Sequence, residues 1–369
     1  MTTTHNPEKL LVTGGAGFIG TNFVHYWLES YPNTRLVVLD ALTYAGRYEN
    51  LQMLEGQANF RFVHGDILDQ PLVEQLLREE AIDTIVHFAA ESHVDRSIYG
   101  PDAFLRTNID GTHSLLKAAK KVWLEEKPGF AHRFHHVSTD EVYGTLSATD
   151  PAFTETTQYA PNSPYAASKA ASDHVVRAYQ HTYGLQTSTS NCSNNYGPYQ
   201  YPEKLIPLAI SKLLQGKPVP IYGDGQQIRD WLYVDDHNRG IDLIMRSGRV
   251  GETYNIGGNN EQANLSLIHE LCALLDARFP DSPHVPHNQH ITYVKDRPGH
   301  DRRYAIDNSK ICSELGYVPA ETFQSGLAKT LDWYLARPEF WQEGVQLFGT
   351  HERPSTPPGP STPLRDPAA

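Results

Sequence analysis

A glycine-rich turn between an apolar run and an amphipathic stretch constrains the fold of this chain more than any other feature of its sequence. In the segment LLVTGGAGFIG, the glycines Gly14, Gly17 and Gly20 have GxxGxxG spacing, and the overlapping set that starts at Gly15 has GxGxxG spacing. Such glycines permit a tight turn, a close approach of backbone N–H groups to a pyrophosphate, and close packing of a helix on a strand. The segment therefore predicts the first βα turn of a dinucleotide-binding fold.

An acidic residue follows this turn at the distance that a dinucleotide site requires. RLVVLD ends in Asp40, about twenty residues after the turn, where a carboxylate can accept from the hydroxyls of an adenosine ribose. The same carboxylate would repel a 2′-phosphate, and Ala41 rather than an arginine follows it, which favours NAD over NADP. Arg47, a few residues on, leaves NADP open. After the next strand, Asp66 and Ile67 are expected to meet the adenine, and a capping role for Asp66 stays open.

Short β-branched runs alternate with longer amphipathic stretches through the first half of the chain. LLVTG, RLVVLD, FRFVHGD, DTIVHFAA and RFHHVSTD have the character of buried strands, and helical patterns separate several of them. We therefore predict an α/β fold with a doubly wound, Rossmann-type parallel sheet. After Gln186 the sequence becomes irregular and rich in Asn, Tyr, Gly and Pro, which indicates a ligand-facing region.

A second, smaller α+β domain is expected to be discontinuous, because the helical pattern 235–248 and the run ETYNIG would return to the sheet. The Pro-, Ser- and Thr-rich end of the chain has almost no large apolar residue and is expected to be disordered. The predicted division is an extension 1–8, an NAD-binding domain of 9–190 plus about 235–258, a substrate-binding domain of 191–234 plus about 259–348, and a tail 349–369.

Composition excludes several classes of protein. The formal net charge of −12 argues against a protein that coats nucleic acid, because phosphate backbones are bound by concentrated Lys and Arg. No apolar run approaches the roughly 20 residues that a bilayer span needs, and no signal peptide is evident, so we expect a cytoplasmic protein without a membrane partner. Cys192, Cys272 and Cys312 lie far apart without CxxC spacing, which predicts neither a disulfide nor a metal site.

Two groups of residues have the pattern of a catalytic site. Tyr165 and Lys169, in SPYAASK, lie four apart on a predicted helix and so face the same way. An ammonium and an oxidised nicotinamide beside a phenol would bring the pKa of the tyrosine toward neutrality, where it can act as a base. Upstream, Thr139, Asp140 and Glu141 follow a strand, at the edge of the sheet where ligands of such folds bind.

Together these features resemble one known family. The motifs TGGAGFIG, LTYAG, HFAAESHVDRSI, STDEVYG, YAASKAASDH, NCSNNYGPYQYPEKLIP, IYGDGQQIRDWLYVDDH and DRPGHDRRYAID are similar to those of the extended short-chain dehydrogenases/reductases and, within them, of the dTDP-glucose 4,6-dehydratases. The resemblance runs from about Lys9 to Leu347. It implies a hydro-lyase that converts dTDP-glucose to dTDP-4-keto-6-deoxyglucose and water, a precursor of deoxysugars such as rhamnose. It also implies a tightly bound NAD that is regenerated in each turnover.

The resemblance further implies roles for individual residues. Thr139 would hold the sugar, Asp140 would be the general acid and Glu141 the general base, beside Tyr165 and Lys169. Assigned to the cofactor are Gly14, Gly17, Phe18, Ile19, Gly20, Asp40, Leu42, Thr43, Gly46, Asp66, Ile67, Ala89, Ala90, Ser92, Thr107, Tyr165, Lys169 and Asn195. Assigned to the substrate are Ser92, Thr139, Asn194, Glu203, Lys204, Pro220, Tyr222, Arg229, Asn264, Arg297 and His300.

Two long helical patterns, Asp102 to Trp123 and Asn162 to Tyr183, carry apolar residues on more than one face, which predicts a partner surface. The resemblance implies a homodimer through the same helices. The nearest alternative functions are a UDP-glucose 4,6-dehydratase and a nucleotide-sugar 4-epimerase or decarboxylase. The epimerases and decarboxylases share the glycine turn, the tyrosine and the lysine but need no Asp-Glu pair. A non-catalytic NAD-binding protein is the alternative from another class, since a fold alone does not determine a function.

Overall fold

The computed structural model describes residues 4–338 and 340. Within these residues, the largest sheet has seven strands, which are β1 (Lys9–Thr13), β2 (Arg35–Asp40), β3 (Phe60–His64), β4 (Thr84–His87), β5 (Arg133–Thr139), β6 (Thr187–Cys192) and β10 (Thr253–Ile256). Their order is β3-β2-β1-β4-β5-β6-β10, and every neighbouring pair is parallel. The order reverses between β1 and β4, so the predicted doubly wound sheet is confirmed.

Unbroken apolar runs explain why this sheet lies at the centre of the molecule. Val12 on β1 pairs with Val38 on β2 and with Val86 on β4, and all three side chains are fully buried. Parallel strands covered by helices on both faces need apolar residues at successive positions rather than at alternate ones. The short β-branched runs of the sequence meet that requirement.

Helices connect the strands. They are α1 (Phe18–Ser30), α2 (Gln70–Glu79), α3 (Val94–Tyr99), α4 (Asp102–Phe104), α5 (Thr112–Ala119), α6 (Pro164–Tyr183), α7 (Leu205–Leu214), α8 (Val234–Ser247), α9 (Asn264–Arg278), α10 (Ser309–Leu315) and α11 (Phe323–Leu335). Short 3-10 helices cover Tyr48–Leu54, Asp140–Tyr143 and His287–His290. A π-helical segment at Leu105–Gly111 joins α4 to α5, and a second one at Lys120–Glu126 extends α5. The resulting helical stretch contains the helix expected from Asp102 to Trp123.

Local sequence defines both ends of α6. The Ser163 hydroxyl accepts from the backbone N–H of Ala166 at 3.1 Å, and Pro164 takes the first helical position, where its fixed φ suits a helix. Gly184 ends the helix at a φ of +77°, a conformation that glycine adopts without strain. The helix therefore begins two residues later than the pattern from Asn162 predicted.

Beyond β6, the described chain builds two smaller sheets. The strands β7 (Asn194–Tyr196) and β11 (Glu261–Ala263) flank β9 (Ile228–Tyr233), and β8 (Val219–Tyr222) pairs in parallel with β12 (Ile291–Val294). Together with α7, α9 and α11 they enclose a separate apolar core. Between these segments, β10 returns to the edge of the large sheet beside β6. The two-domain division stays a prediction, which this return supports.

Some predictions concern parts of the chain that lie outside the described residues, among them the tail 349–369 and the stretch 341–348. Within the described part, no helix combines the length and the apolar character that crossing a bilayer would require. In residues 4–338 and 340, no three His, Cys, Asp or Glu side chains come together as metal ligands would.

Candidate active site

A cleft of about 330 Å³ opens at the carboxyl ends of β1, β2, β4, β5 and β6. Ligands of doubly wound sheets bind at this edge, where the strand order reverses. The cleft brings together residues from most of the predicted set. They are Gly14, Gly17, Phe18, Ile19, Gly20, Asp40, Thr43, Gly46, Asp66, Ile67, Ala89, Ala90, Ser92, Thr107, Thr139, Asp140, Glu141, Tyr165, Lys169, Asn194, Asn195, Glu203 and Lys204.

Backbone forms the part of the cleft beside β1 and α1. A Cβ added at Gly14 would lie 2.6 Å from the backbone nitrogen of Ala89, and one at Gly20 would lie 2.2 Å from the carbonyl oxygen of Gly14. Gly14 also has a φ of +72°. No side chain caps the first turn of α1, so its N–H groups can bind an anion. These features fit the pyrophosphate of a dinucleotide.

Asp40 lies at the end of β2, where the sequence predicts a ribose contact. Its carboxylate accepts from the backbone N–H of Ala16 at 2.9 Å and of Leu42 at 2.8 Å. Burial raises the pKa of Asp40, and these two hydrogen bonds oppose the increase. The bonds hold the carboxylate in place at the wall of the cleft. Leu42 takes part through this backbone bond and is not among the residues that line the cleft.

Asp69 rather than Asp66 caps the start of α2, so the capping role that the sequence left open is not found for Asp66, which stabilises the preceding turn. Asp66 Oδ1 accepts from the backbone N–H of Leu68 at 2.9 Å, as a residue that stabilises a turn does. It also lines the cleft beside Ile67, as an adenine contact requires. The turn therefore positions the residue without removing it from the site.

Asp140 and Glu141 follow β5 directly and have different electrostatic surroundings. Burial, the neighbouring Glu141 and Asp230 raise the pKa of Asp140 well above its ordinary value. Burial also raises the pKa of Glu141, but Arg297, Arg229 and Lys204 oppose that increase. Asp140 therefore keeps its proton more readily than Glu141 does, which suits an acid and a base side by side.

Tyr165 and Lys169 lie together on the inner face of α6. Lys169 Nζ donates to the carbonyl oxygen of Val137 at 2.8 Å. Burial and the carboxylate of Glu141 raise the pKa of Tyr165 well above its ordinary value, and a hydrogen bond with Thr139 opposes the increase. The expected lowering toward neutrality is therefore not produced by the groups of the protein. That lowering was predicted for a site that also holds an oxidised nicotinamide, and it stays a prediction.

A buried carboxylate beneath these residues was not predicted. Asp173 lies one helical turn beyond Lys169, and accepts from Ser138 Oγ at 2.9 Å and from the Tyr159 hydroxyl at 3.0 Å. His136 Nε2 lies 3.0 Å from its other oxygen. Burial raises the pKa of Asp173 to about 6. An acidic residue four positions after Lys169 on a buried helix face is the signal that could have revealed it.

The remaining predicted substrate residues do not line the cleft. They are Pro220, Tyr222, Arg229, Asn264, Arg297 and His300. Arg229 on β9 donates to the carbonyl oxygen of Asp301 at 3.0 Å, and its guanidinium lies 4.3 Å from the ring centre of Tyr304. Arg297 donates to Asp95 at 2.7 Å. Both arginines act on the pKa of Glu141, so their positive charge reaches the acid pair.

Sequence reasoning also missed several lining residues. Tyr44 and Tyr201 meet edge to face at 5.7 Å, and the guanidinium of Arg96 lies 3.8 Å from the ring centre of Tyr44. Gln200 lines the cleft with a buried Oε1 that has no hydrogen-bond partner among the described residues, and the same is true of Asn195 Oδ1. Both tyrosines and Gln200 stand inside quoted motifs, so position within a motif was the available signal. The unpartnered oxygens give a polar ligand groups to bind.

Comparison with known proteins is consistent with this geometry. A family profile described as GDP-mannose 4,6 dehydratase matches residues 11–330. A dTDP-glucose 4,6-dehydratase of Xanthomonas campestris pv. campestris (strain B100) is 59% identical over 338 residues, which are 91% of this chain and 95% of that protein.

Two solved structures extend the comparison. The crystal structure of DesIV, a dTDP-glucose 4,6-dehydratase from Streptomyces venezuelae with NAD bound, has a TM-score of 0.82 and 48% identity, covering 91% of this chain and 99% of that one. The UDP-glucose 4-epimerase of Thermotoga maritima has a TM-score of 0.77 and 29% identity, covering 89% and 99%. The chain therefore belongs to the GDP-mannose 4,6 dehydratase family, within the extended short-chain dehydrogenases/reductases that its motifs resemble.

Proposed function

We propose that the protein is a dTDP-glucose 4,6-dehydratase that uses a tightly bound NAD and regenerates it in each turnover. The observation that carries the proposal is the unequal setting of the adjacent acids Asp140 and Glu141, in a cleft that also holds Tyr165 and Lys169. The curated relatives with this name support the substrate, and the NAD in the similar S. venezuelae structure supports the cofactor.

The reaction begins with oxidation because water cannot leave C6 of glucose while the C5 hydrogen is not acidic. A ketone at C4 makes that hydrogen acidic. A bound NAD would supply the hydride acceptor for C4 and the hydride donor for C6, so the reaction would have no net redox change. Tyr165 accepts the proton of the 4-hydroxyl, and Thr139 holds the sugar beside it. Lys169, fixed by the Val137 carbonyl, adds the positive charge that favours the phenolate.

The two acids carry out the elimination. Glu141 accepts the C5 proton, because three neighbouring cations favour its ionised form, and it gives a proton back to C5 when hydride adds at C6. Asp140 keeps its own proton until the C6 hydroxyl departs, and then donates it to form water. Lys204, Arg229 and Arg297 supply the local positive charge that an acidic protein needs to hold a diphosphate. The other site residues keep the roles that the resemblance implies.

A 4-epimerase is the strongest competing function, because the T. maritima enzyme shares the fold. Epimerisation at C4 uses the tyrosine, the lysine and the glycine turn, and it does not require the two acids Asp140 and Glu141. The first test is to incubate the protein separately with dTDP-glucose and UDP-glucose and to measure the alkali-developed absorbance of a 4-keto sugar. We expect the signal with dTDP-glucose. Isomerised sugar nucleotide without a keto product would contradict the dehydratase function.

The second test separates the two half-reactions. Glu141→Gln should still reduce the bound NAD but then stall, because an amide cannot accept the C5 proton. The absorbance of reduced cofactor should persist, with little deuterium entering C5 from heavy water. Asp140→Asn should allow C5 exchange but slow loss of water by about 10²- to 10⁴-fold. Tyr165→Phe should block both stages. Near wild-type turnover of Glu141→Gln would exclude it as the base.

We also propose a homodimer formed through the helical stretch of α4 and α5 together with α6. Leu105 and Tyr183, on these helices, have large exposed apolar side chains. Sedimentation at micromolar concentration should show twice the mass of one chain, and a single 41.4 kDa species would contradict the dimer. A cytoplasmic location is proposed because NAD and nucleotide sugars are cytoplasmic metabolites, and cell fractionation would test it.

A further inference from the structure

Asp95, in the first turn of α3, has no role in the reaction described above. Its Oδ1 accepts from Arg297 Nη1 at 2.7 Å, and its Oδ2 accepts from the Tyr222 hydroxyl at 3.5 Å. Both partners come from segments far along the chain, and both are residues that the resemblance assigns to the substrate. One carboxylate thus contacts two predicted substrate residues from separate segments.

Arg297 is held by this carboxylate at only one of its nitrogens. Its side chain is 24% exposed, and its buried Nε has no hydrogen-bond partner among the described residues. A guanidinium is rigid and planar, so fixing Nη1 also fixes the direction of the remaining N–H groups. Those donors match the oxygens of a phosphate in a bidentate arrangement. The pairing with Asp95 therefore orients Arg297 and leaves it donors for an anion.

Two neighbours of Asp95 in the chain also make long-range contacts. Arg96 Nη2 lies 3.5 Å from Glu203 Oε2, and His93 Nε2 lies 3.6 Å from the same oxygen. The start of α3 thus reaches two substrate-side segments, one that carries Glu203 and one that carries Arg297. Asp95 makes the shortest of these contacts.

We propose that Asp95 is a positioning residue for the nucleotide sugar, which orients Arg297 so that its free N–H groups meet the substrate diphosphate. The proposal rests on the proposed function. It predicts an effect on substrate binding rather than on the chemical step, because Asp95 touches neither the acid pair nor Tyr165.

Asp95→Asn tests this role, because the amide preserves the shape of the side chain but not its charge. We expect KM for dTDP-glucose to rise about tenfold, as for loss of a hydrogen bond to a charged group, with kcat within about twofold of wild type. Bound NAD should be unchanged, and Asp95→Glu should recover part of the affinity. Asp224→Asn is the matched control, because Asp224 pairs with Arg302 at 2.9 Å on an exposed surface. Its KM should not change.

A double-mutant cycle with Arg297→Met tests whether Asp95 acts through Arg297. In that background, Asp95→Asn should have no further effect on KM, even if each variant is less stable than the wild type. A KM that is unchanged in Asp95→Asn, or lower than wild type as competition with the diphosphate would produce, overturns the role. The role is also overturned if Asp95→Asn raises KM by the same factor in the wild type and in Arg297→Met. A wild-type protein that forms no keto product overturns the proposed function, and the role of Asp95 with it.

Discussion

The two ends of the cleft are built in different ways. At the cofactor end the shape comes from backbone, since Gly14 and Gly20 leave no space for even one additional carbon. At the substrate end it comes from charged side chains, such as Arg229 and Arg297, which separate segments contribute and which carbonyl or carboxylate oxygens hold. At the cofactor end, where backbone atoms of one short segment form the surface, almost any substitution should abolish binding. At the substrate end, where paired side chains form the surface, a substitution should weaken binding only in part.

The largest expected effect is that of Gly20→Ala at the cofactor end. The new Cβ would lie 2.2 Å from the oxygen of Gly14 and 2.8 Å from the Cα of Gly15, and neither backbone atom can move aside alone. We expect loss of the NAD that purifies with the protein and a decrease of about 3 kcal/mol in the free energy of unfolding. The bound NAD is measured as nucleotide released from the denatured protein, and the free energy of unfolding is measured by urea unfolding. Gly100→Ala is the control, because its new Cβ would lie 3.9 Å from the carbonyl oxygen of Arg96, which is an ordinary van der Waals distance. Full NAD content in Gly20→Ala would remove the contrast between the two ends.

The next effect is a pH dependence of the free energy of unfolding. It comes from Asp173, which lies beneath Tyr165 and Lys169. Its pKa of about 6 in the folded protein exceeds the ordinary 3.8, so the folded state binds this proton more tightly than the unfolded state. The stabilisation that results is present below about pH 4 and is lost as the pH rises through 6. Relative to Asp173→Asn, the wild type should therefore lose about 3 kcal/mol of unfolding free energy between pH 4 and pH 7. Tyr159→Phe, which keeps the carboxyl but removes a hydrogen bond that lowers its pKa, should make this pH dependence steeper. A pH-independent difference between wild type and Asp173→Asn would contradict the shift.

The smallest effect is that of Arg229→Lys at the substrate end. The variant keeps the charge that acts on Glu141 but cannot donate to the carbonyls of Ile228 and Asp301 in one rigid arrangement. We expect KM for dTDP-glucose to rise about tenfold, with kcat and bound NAD nearly unchanged. Steady-state kinetics measure the change, and Arg302→Lys, an exposed arginine, is the control. A loss of NAD as complete as that in Gly20→Ala would show that the two ends are not separate.

The same contrast explains how much could be predicted from the sequence. The doubly wound parallel sheet, the glycine turn and Asp40 follow from patterns within short segments, and the structure brings the glycines and Asp40 together in one cleft. Asp173 and Asp95 were missed because their partners lie in other segments, which periodicity does not connect. The lowering of the pKa of Tyr165 was predicted for a site that also holds an oxidised nicotinamide, and it stays a prediction. Spacing places Lys169 beside Tyr165, but it does not reveal that Glu141 acts on the phenol more strongly.

The late return of β10 to the large sheet has a consequence for biosynthesis. Until residues 253–256 are made, the outer edge of β6 has no β10 to pair with, and an open strand edge is a template for association with other chains. Parallel pairing of segments so far apart also slows folding, because the intervening loop must close before the contacts stabilise it. A nascent chain or fragment that ends before β10 should therefore aggregate rather than accumulate as an independently folded NAD-binding unit.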